Sequence, residues 1–185
     1  MALLPFLEAE DLAPEHRDIV NSGFNLHKIM AYSPNTARLS QFVGGYIRHH
    51  IGLDSRLREL AILQVACIAG AEYEYAQHLK IGEDFGVPAD DLAAVTLETE
   101  GVANCLDPVA RLVMRAAREM TVGQAASPET MRELQVALSP EHLVDLIFVI
   151  AFYVGFARIT GSFDIEVEPA RRPNLHRFPM RLRSG

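Results

Sequence analysis

The strongest constraint on the fold is one acidic residue inside an apolar helical run. Apolar residues recur at helical spacing over residues 57–69, and Glu59 lies among them. A carboxylate in such a run is costly to desolvate unless another group pairs with it. Gly70 is suited to end this helix, and a second helix that begins just after it carries His78. We therefore look for the partner of Glu59, and for chemistry, in this helix pair.

The spacing allows Glu59 and His78 to meet if the two helices fold back on each other. Glu59 lies 11 residues before Gly70, and His78 lies 8 residues after it. At ~1.5 Å of rise per residue, their offset along the helix axes is only ~4 to 5 Å. Glu74 precedes His78 by four residues and shares its helix face. The sequence thus permits a Glu59–His78–Glu74 cluster, which a wide crossing angle would separate.

Spacing alone leaves two interpretations of this cluster open. In the functional one, a carboxylate favours the charged imidazole while burial disfavours it, so that His78 can exchange protons in both directions near neutral pH. In the structural one, Glu59 forms a salt bridge with Arg56 or Arg58, and His78 only fills a gap in the core.

Helix signals follow one another along the chain. Ser-Pro pairs at 33–34, 127–128 and 139–140 each place an N-cap serine before a proline suited to the first helical turn. No long stretch alternates with a period of two, and residues 165–168 are the best strand candidate. The sequence predicts an all-α fold with helices at about 14–32, 34–49, 55–69, 72–85, 88–97, 107–121, 127–138 and 140–160.

Composition favours one globular domain. The 185 residues are 49% hydrophobic, and about 1–32 are expected to form an N-terminal helical extension. A formal net charge of −7 argues against a general nucleic-acid-binding surface. The first residues carry acids where a signal peptide would carry basic residues. We predict a cytoplasmic protein with no nucleic-acid partner.

The end of the chain is basic. Its arginines are Arg171, Arg172, Arg177, Arg181 and Arg183. Such a segment could contact a phosphate or an acidic neighbour, but a solvated terminus is the preferred interpretation. We predict a basic C-terminal tail over about 169–185.

The helix predicted after Pro140 is apolar on nearly every side. Residues 146–157 contain no charged residue, and they are too few to cross a bilayer core of ~30 Å. Such a helix belongs in the middle of the fold or in a subunit interface. We therefore expect a homo-oligomer and no membrane partner.

Gly44 and Gly45 lie inside a predicted helix, where each costs roughly 1 kcal/mol relative to alanine. This placement suggests a close helix crossing or the wall of a pocket.

Adjacent helical side chains point about 100° apart, so His49 and His50 cannot chelate one ion from one face. The two cysteines, at 67 and 105, form neither a CxxC pair nor a zinc pattern. We predict no metal site.

Several segments together form a recognisable pattern. They are S-P-N-T-A-R leading to G-G-Y, then L-D-S-R-L-R-E-L-A-I-L, G-A-E-Y-E-Y-A-Q-H and G-V-P-A-D-D-L, with F-Y-V-G-F-A-R-I-T-G-S-F-D near the end. Over most of the chain beyond about residue 20, this pattern resembles the carboxymuconolactone decarboxylase and alkylhydroperoxidase D-like superfamily. The resemblance implies an all-α bundle that assembles as trimers or hexamers, with its site close to subunit contacts.

The peroxidase branch of that superfamily carries a glutamate, then a CxxC pair, then a histidine four residues after the second cysteine. Glu59 and His78 match the glutamate and the histidine, but Ala71 and Glu74 stand at the cysteine positions. Peroxide reduction in that branch needs one thiolate to attack and a second thiol to resolve the product. Alkylhydroperoxidase or peroxiredoxin-type antioxidant activity is therefore a disfavoured alternative.

The decarboxylase branch lacks the thiols, as this chain does, and keeps an acid four residues before the histidine. The resemblance implies a cofactor-free acid–base enzyme, a decarboxylase or related lyase or isomerase acting on a small lactone or carbonyl carboxylic acid. Its expected catalytic residues are His78, Glu59 and Glu74. Side chains that could contact the substrate lie on the same helix pair: Tyr73, Tyr75 and Arg58. A non-catalytic member that binds a small molecule or serves as a scaffold is the remaining alternative.

Overall fold

The computed structural model describes residues 2–180, and every regular element within them is helical. Residues 165–168, the best strand candidate, form no regular element. The all-α prediction is confirmed. Two 3-10 segments, Ala9–Asp11 and Pro14–Val20, precede α1 (Asn25–Met30), α2 (Pro34–His49), α3 (Ser55–Ala69), α4 (Glu72–Asp84), α5 (Ala89–Glu100), α6 (Pro108–Val122), α7 (Pro128–Ala137), α8 (Pro140–Ser162) and α9 (Arg172–Arg177).

The predicted continuous helix over 14–32 is wrong. Pro14–Val20 is a 3-10 segment, and the chain then turns at Gly23 before α1 begins. Gly23 has a φ of 73°, a left-handed conformation that interrupts an α-helix and that glycine adopts without strain. The Ser22 hydroxyl accepts a hydrogen bond from the Phe24 backbone N–H (3.3 Å), which offers the backbone a local alternative to helix.

Helix α3 lies at the centre of the fold. Asp54 caps its start by accepting a hydrogen bond from the Leu57 backbone N–H (3.1 Å), and Gly70 ends it with a φ of 66°. Every residue over 58–67 is buried, because α4, α5, α6 and α8 all pack against this helix. Glu59 is therefore enclosed by protein on all sides.

The described part of the predicted C-terminal tail is folded onto α4. Arg171 Nε donates a hydrogen bond to Gln77 Oε1 (3.1 Å), Arg177 forms an ion pair with Glu83, and the Phe178 side chain is buried. The expectation of a solvated terminus is wrong for this part because apolar burial and hydrogen bonds to α4 hold it. Residues 181–185, which include Arg181 and Arg183, lie outside the described residues.

Helix α8 is the one helix in residues 2–180 that is long and apolar enough, by length and composition alone, to cross a membrane. Core helices of soluble proteins satisfy the same criterion. Its buried residues, such as Leu146 and Ile150, pack in the core beside α3 and α6, while Phe148 is exposed. Helix α8 thus has one face in the core and another outside it.

Candidate active site

The Glu59 and His78 side chains meet inside the helix pair. His78 Nδ1 lies 2.7 Å from Glu59 Oε2, a hydrogen-bond distance, and both residues are almost fully buried. The other carboxylate oxygen, Oε1, accepts a hydrogen bond from Arg58 Nε at 2.8 Å. Both partners considered from the sequence are therefore present at once: an arginine on one oxygen and an imidazole on the other.

Glu59 is held as a carboxylate. Burial opposes its ionisation, but the charges and hydrogen bonds of His78 and Arg58 outweigh burial and lower the pKa of Glu59 below its ordinary value. A carboxylate at Nδ1 favours the imidazole tautomer with the proton on that nitrogen. The Nε2 atom of His78 is then available to accept or donate a proton.

Glu74 lies on the other side of the imidazole. Its Oε2 atom is 3.8 Å from His78 Nε2, too far for a hydrogen bond, and its buried Oε1 atom has no hydrogen-bond partner in residues 2–180. Burial raises the pKa of Glu74, with the nearby Glu168 charge adding to the effect and His78 opposing it. Glu74 is thus a carboxyl group with unused hydrogen-bonding capacity.

His78 and Glu74 border a cavity of about 140 Å³. The cavity lies between α2, α4, α8 and the start of α1, and its wall is mostly apolar and aromatic. The edge of Tyr153 packs against the imidazole of His78, with ring centroids 4.7 Å apart. The residues that line this cavity include Phe24, His27, Gly44, Gly45, Arg48, Tyr73, Glu74, Gln77, His78, Phe152, Tyr153 and Phe156.

The helical fold is shared with several solved structures. The debrominase Bmp8, solved as a cysteine-to-alanine variant with 2,3,4-tribromopyrrole, superposes with a TM-score of 0.79 at 21% identity, over 96% of this chain and 98% of that one. An alkylhydroperoxidase AhpD core, from an uncharacterized peroxidase-related protein of Ralstonia eutropha JMP134, gives 0.77 at 16% identity, over 92% and 94%. A protein of unknown function from Agrobacterium tumefaciens, suggested to be an antioxidant defence protein AhpD, gives 0.67 at 17% identity, over 76% and 95%.

At the sequence level, residues 34–119 match the profile of the carboxymuconolactone decarboxylase family. No curated protein matches the sequence. The matched residues run from α2 into α6 and are similar to that family, and the whole helical fold is that of the alkylhydroperoxidase AhpD core. One structure with this fold is a debrominase, and the residues matched by the family model contain both Glu59 and His78.

No thiol lines the cavity within residues 2–180, whereas the peroxidase branch that the sequence resembles carries a CxxC pair. Cys67 is buried in the core cluster that also contains Tyr75, and burial raises its pKa to about 12. Cys105 is exposed near the start of α6, where its sulfur faces Asp90 and Asp91. Neither thiol can reach the cavity beside His78 without rearrangement of the fold.

The three predicted substrate-binding residues occupy different places. Tyr73 lines the cavity, whereas Tyr75 points into the core beside Cys67 and Arg58 is buried against Glu59. The placement of Tyr75 and Arg58 at the substrate is therefore wrong: residues two apart on a helix face different sides, and Glu59 takes up the guanidinium of Arg58. Arg56, the other arginine considered as a partner of Glu59, instead pairs with Asp91 and Asp107.

Arg48 and Glu168 are site residues that the sequence analysis missed. Arg48 lines the cavity one helical turn after Gly44, so the suspected glycine wall could have indicated it. Glu168 lies behind the wall, where it accepts hydrogen bonds from the Tyr73 hydroxyl (3.0 Å) and from the Gln77 amide. No sequence signal connects Glu168 with α4, because about 90 residues separate them.

In residues 2–180, no cluster of three His, Cys, Asp or Glu side chains could hold a metal ion.

Proposed function

We propose that this protein is an acid–base enzyme in which His78 Nε2 transfers a proton to or from a small organic acid bound in the cavity. The observation that carries the proposal is the position of the imidazole. Its Nδ1 atom is hydrogen-bonded to the buried carboxylate of Glu59, and the ring borders the cavity beside Glu74. Such an arrangement fixes the tautomer, orients the ring and stabilises the imidazolium when it forms. Proton transfer is the chemistry it supports best.

The reaction class we favour is decarboxylation, or a related lyase or isomerase reaction, of a small lactone or carbonyl carboxylic acid. In the decarboxylation, the carbon–carbon bond to the carboxylate breaks, carbon dioxide leaves, and the electron pair enters the conjugated carbonyl to give a dienolate. His78 Nε2–H then supplies a proton to a carbon of that dienolate. The substrate's own carbonyl accepts the electrons, so this reaction requires no added oxidant or reductant.

Glu74 supports this chemistry as a hydrogen-bond donor. A carboxyl group whose pKa is raised by burial keeps its proton to higher pH, and a neutral carboxyl can donate to a carbonyl oxygen that gains negative charge. The aromatic side chains around it, such as Phe152 and Phe156, keep water from the reacting carbons. Proton donor, hydrogen-bond donor and apolar wall thus border one cavity.

Steady-state turnover of candidate lactone and keto acids tests the proposal. We expect His78→Gln to lower kcat by about 10²-fold or more, because the proton donor is lost. Glu59→Gln should also lower kcat, since an amide cannot stabilise the imidazolium as a carboxylate does. The matched control is His176→Gln, which changes an exposed histidine on α9 and should leave kcat unchanged. Wild-type rates in both site variants would remove these residues from the mechanism.

The alternatives give different outcomes in the same experiments. A thiol peroxidase would lose peroxide consumption in a Cys67→Ser, Cys105→Ser double variant, a result that the burial of Cys67 makes unexpected. A non-catalytic binding or scaffold protein would bind candidate acids without turning any of them over.

A further inference from the structure

Arg48 is a cation in the cavity wall for which residues 2–180 supply no ion-pair partner. It is half-buried in the last turn of α2 and borders the cavity, and among residues 2–180 it forms no ion pair. The two arginines at the start of α3 are different: Arg56 pairs with Asp91 and Asp107, and Arg58 pairs with Glu59. A half-buried guanidinium has lost part of its water without gaining a carboxylate, so an anion supplied from outside would complete this site.

The acids around the cavity are already engaged or neutralised. Glu59 is shared between Arg58 and His78, and burial favours the protonated form of Glu74. Glu168 accepts hydrogen bonds from Tyr73 and Gln77 on the far side of the wall. The remaining basic group, His27, is neutral near pH 7, because burial together with the charge of Arg48 lowers its pKa to about 4. Among the described residues that line the cavity, Arg48 is therefore the cation that no carboxylate pairs with directly.

The cavity also limits the size and shape of its ligand. Its volume of about 140 Å³ is well below the ~300–1,000 Å³ of pockets that hold drug-sized molecules. Phe24, Phe152 and Phe156 supply flat apolar surfaces, while Gly44 and Gly45 leave space beside α2 in which an added Cβ would meet no atom within 4 Å. These features suit a single small ring that carries one anionic group.

We infer that Arg48 binds the carboxylate of a small, planar, singly charged substrate and is the residue that selects anionic over neutral ligands. This inference rests on the cavity of the proposed function and adds to it the residue that reads the substrate charge. The bound carboxylate lies at the α2 wall, and the ring extends from there toward His78 on α4. In the decarboxylation the organic molecule stays anionic, first as carboxylate and then as dienolate, until His78 protonates it. One fixed cation serves both species.

Binding of benzoate and of its neutral isostere benzamide, measured by isothermal titration calorimetry, tests this inference. We expect wild type to bind benzoate at least about tenfold more tightly than benzamide, since a charge-assisted bond is worth that much. Arg48→Gln should weaken benzoate binding by about tenfold or more and should bring the two ligands to similar affinity. The matched control is Arg132→Gln on the exposed side of α7, which should bind benzoate as wild type does.

Gly44→Ala tests the position of the ring. The new methyl group takes space beside the cavity without touching other protein atoms, so we expect weaker binding of benzoate and little change for the smaller acetate. Gly161→Ala adds the same methyl group on an exposed turn of α8 and should change neither ligand. Unchanged benzoate affinity in Gly44→Ala would exclude a ring placed against α2.

Three results would overturn the role of Arg48: no benzoate binding at millimolar concentrations, equal affinity of wild type for benzoate and benzamide, or undiminished benzoate binding by Arg48→Gln. Because these measurements need no turnover, they separate this inference from the proposed function. Anion binding through Arg48 without turnover of any lactone acid would defeat the proposed function alone. Turnover that needs His78 but ignores Arg48→Gln would defeat the inference alone.

Discussion

Glu59 and Glu74 lie on either side of one imidazole, yet their pKa values are shifted in opposite directions. Glu59 has two basic partners within hydrogen-bond distance, Arg58 and His78, and these overcome the cost of burial. Glu74 has no such partner, so burial dominates and its pKa rises. The site therefore pairs a stable carboxylate with a carboxyl group that resists ionisation.

Glu74→Gln is expected to change how stability depends on pH. In the unfolded chain Glu74 ionises near its ordinary pKa of 4.5, whereas in the folded protein it keeps its proton to higher pH. The free energy of unfolding of wild type therefore falls as pH rises from 4.5 through the folded pKa. Glu74→Gln lacks this loss, so its stability relative to wild type should increase over that range. Urea unfolding across mildly acidic to neutral pH measures the difference, with Glu15→Gln on the surface as the control.

A stability difference between wild type and Glu74→Gln that is constant with pH would show that Glu74 titrates normally. Glu59 has the opposite sign: its lowered pKa stabilises the fold above its ordinary pKa, and this contribution is lost as pH falls through the folded value.

Residue spacing predicted the Glu59–His78–Glu74 cluster because local geometry governs it. Gly70 fixes where α3 ends. Because the connection to α4 is short, α4 packs back along α3. Distant parts of the chain contribute Arg48 and Glu168. The glycine pair on α2 gave an indirect indication of Arg48, but the position of Glu168 depends on how the segment after α8 packs, which no local pattern encodes.

At the scale of elements, Glu168 joins two walls of the cavity. Its carboxylate accepts hydrogen bonds from the Asn25 backbone N–H (2.6 Å), at the start of α1, and from Tyr73 and Gln77 on α4. Arg171, just after it, donates to Gln77 and lies near the Phe24 ring. The segment between α8 and α9 thus positions α1 against α4.

Glu168→Gln is expected to loosen this junction. An amide presents an NH₂ group where the carboxylate accepts only, so at least one buried donor on α1 or α4 loses its partner. We expect the free energy of unfolding to fall by about 1–3 kcal/mol. Urea unfolding measures the loss, and Glu129→Gln, an exposed residue on α7, serves as the control. Equal stability of Glu168→Gln and Glu129→Gln would contradict a joining role for Glu168.

At the scale of the whole molecule, α2 and α8 both border the cavity and both expose large apolar side chains. On α2 these follow helical spacing at Leu39, Phe42 and Tyr46, and on α8 they include Val144 and Phe148. Phe42 is 73% exposed and Phe148 is 45% exposed, which is unusual for grouped aromatic residues on a monomer surface. A second copy of the chain is the occupant we propose for this surface, in agreement with the trimers or hexamers that the resemblance implies.

Light scattering coupled to size-exclusion chromatography tests this assembly. We expect wild type to be a trimer or hexamer and both Phe42→Glu and Phe148→Glu to dissociate it, because a buried unpaired carboxylate opposes association. Val136→Glu places the same charge at a 91% exposed valine on α7 and should leave the oligomer intact. A monomeric wild type would contradict the proposal, and co-sedimentation with lipid vesicles that Phe148→Glu abolishes would assign the α8 surface to a membrane instead.

Since α2 and α8 also supply the aromatic and arginine side of the cavity, dissociation should weaken benzoate binding in Phe42→Glu and Phe148→Glu but not in Val136→Glu.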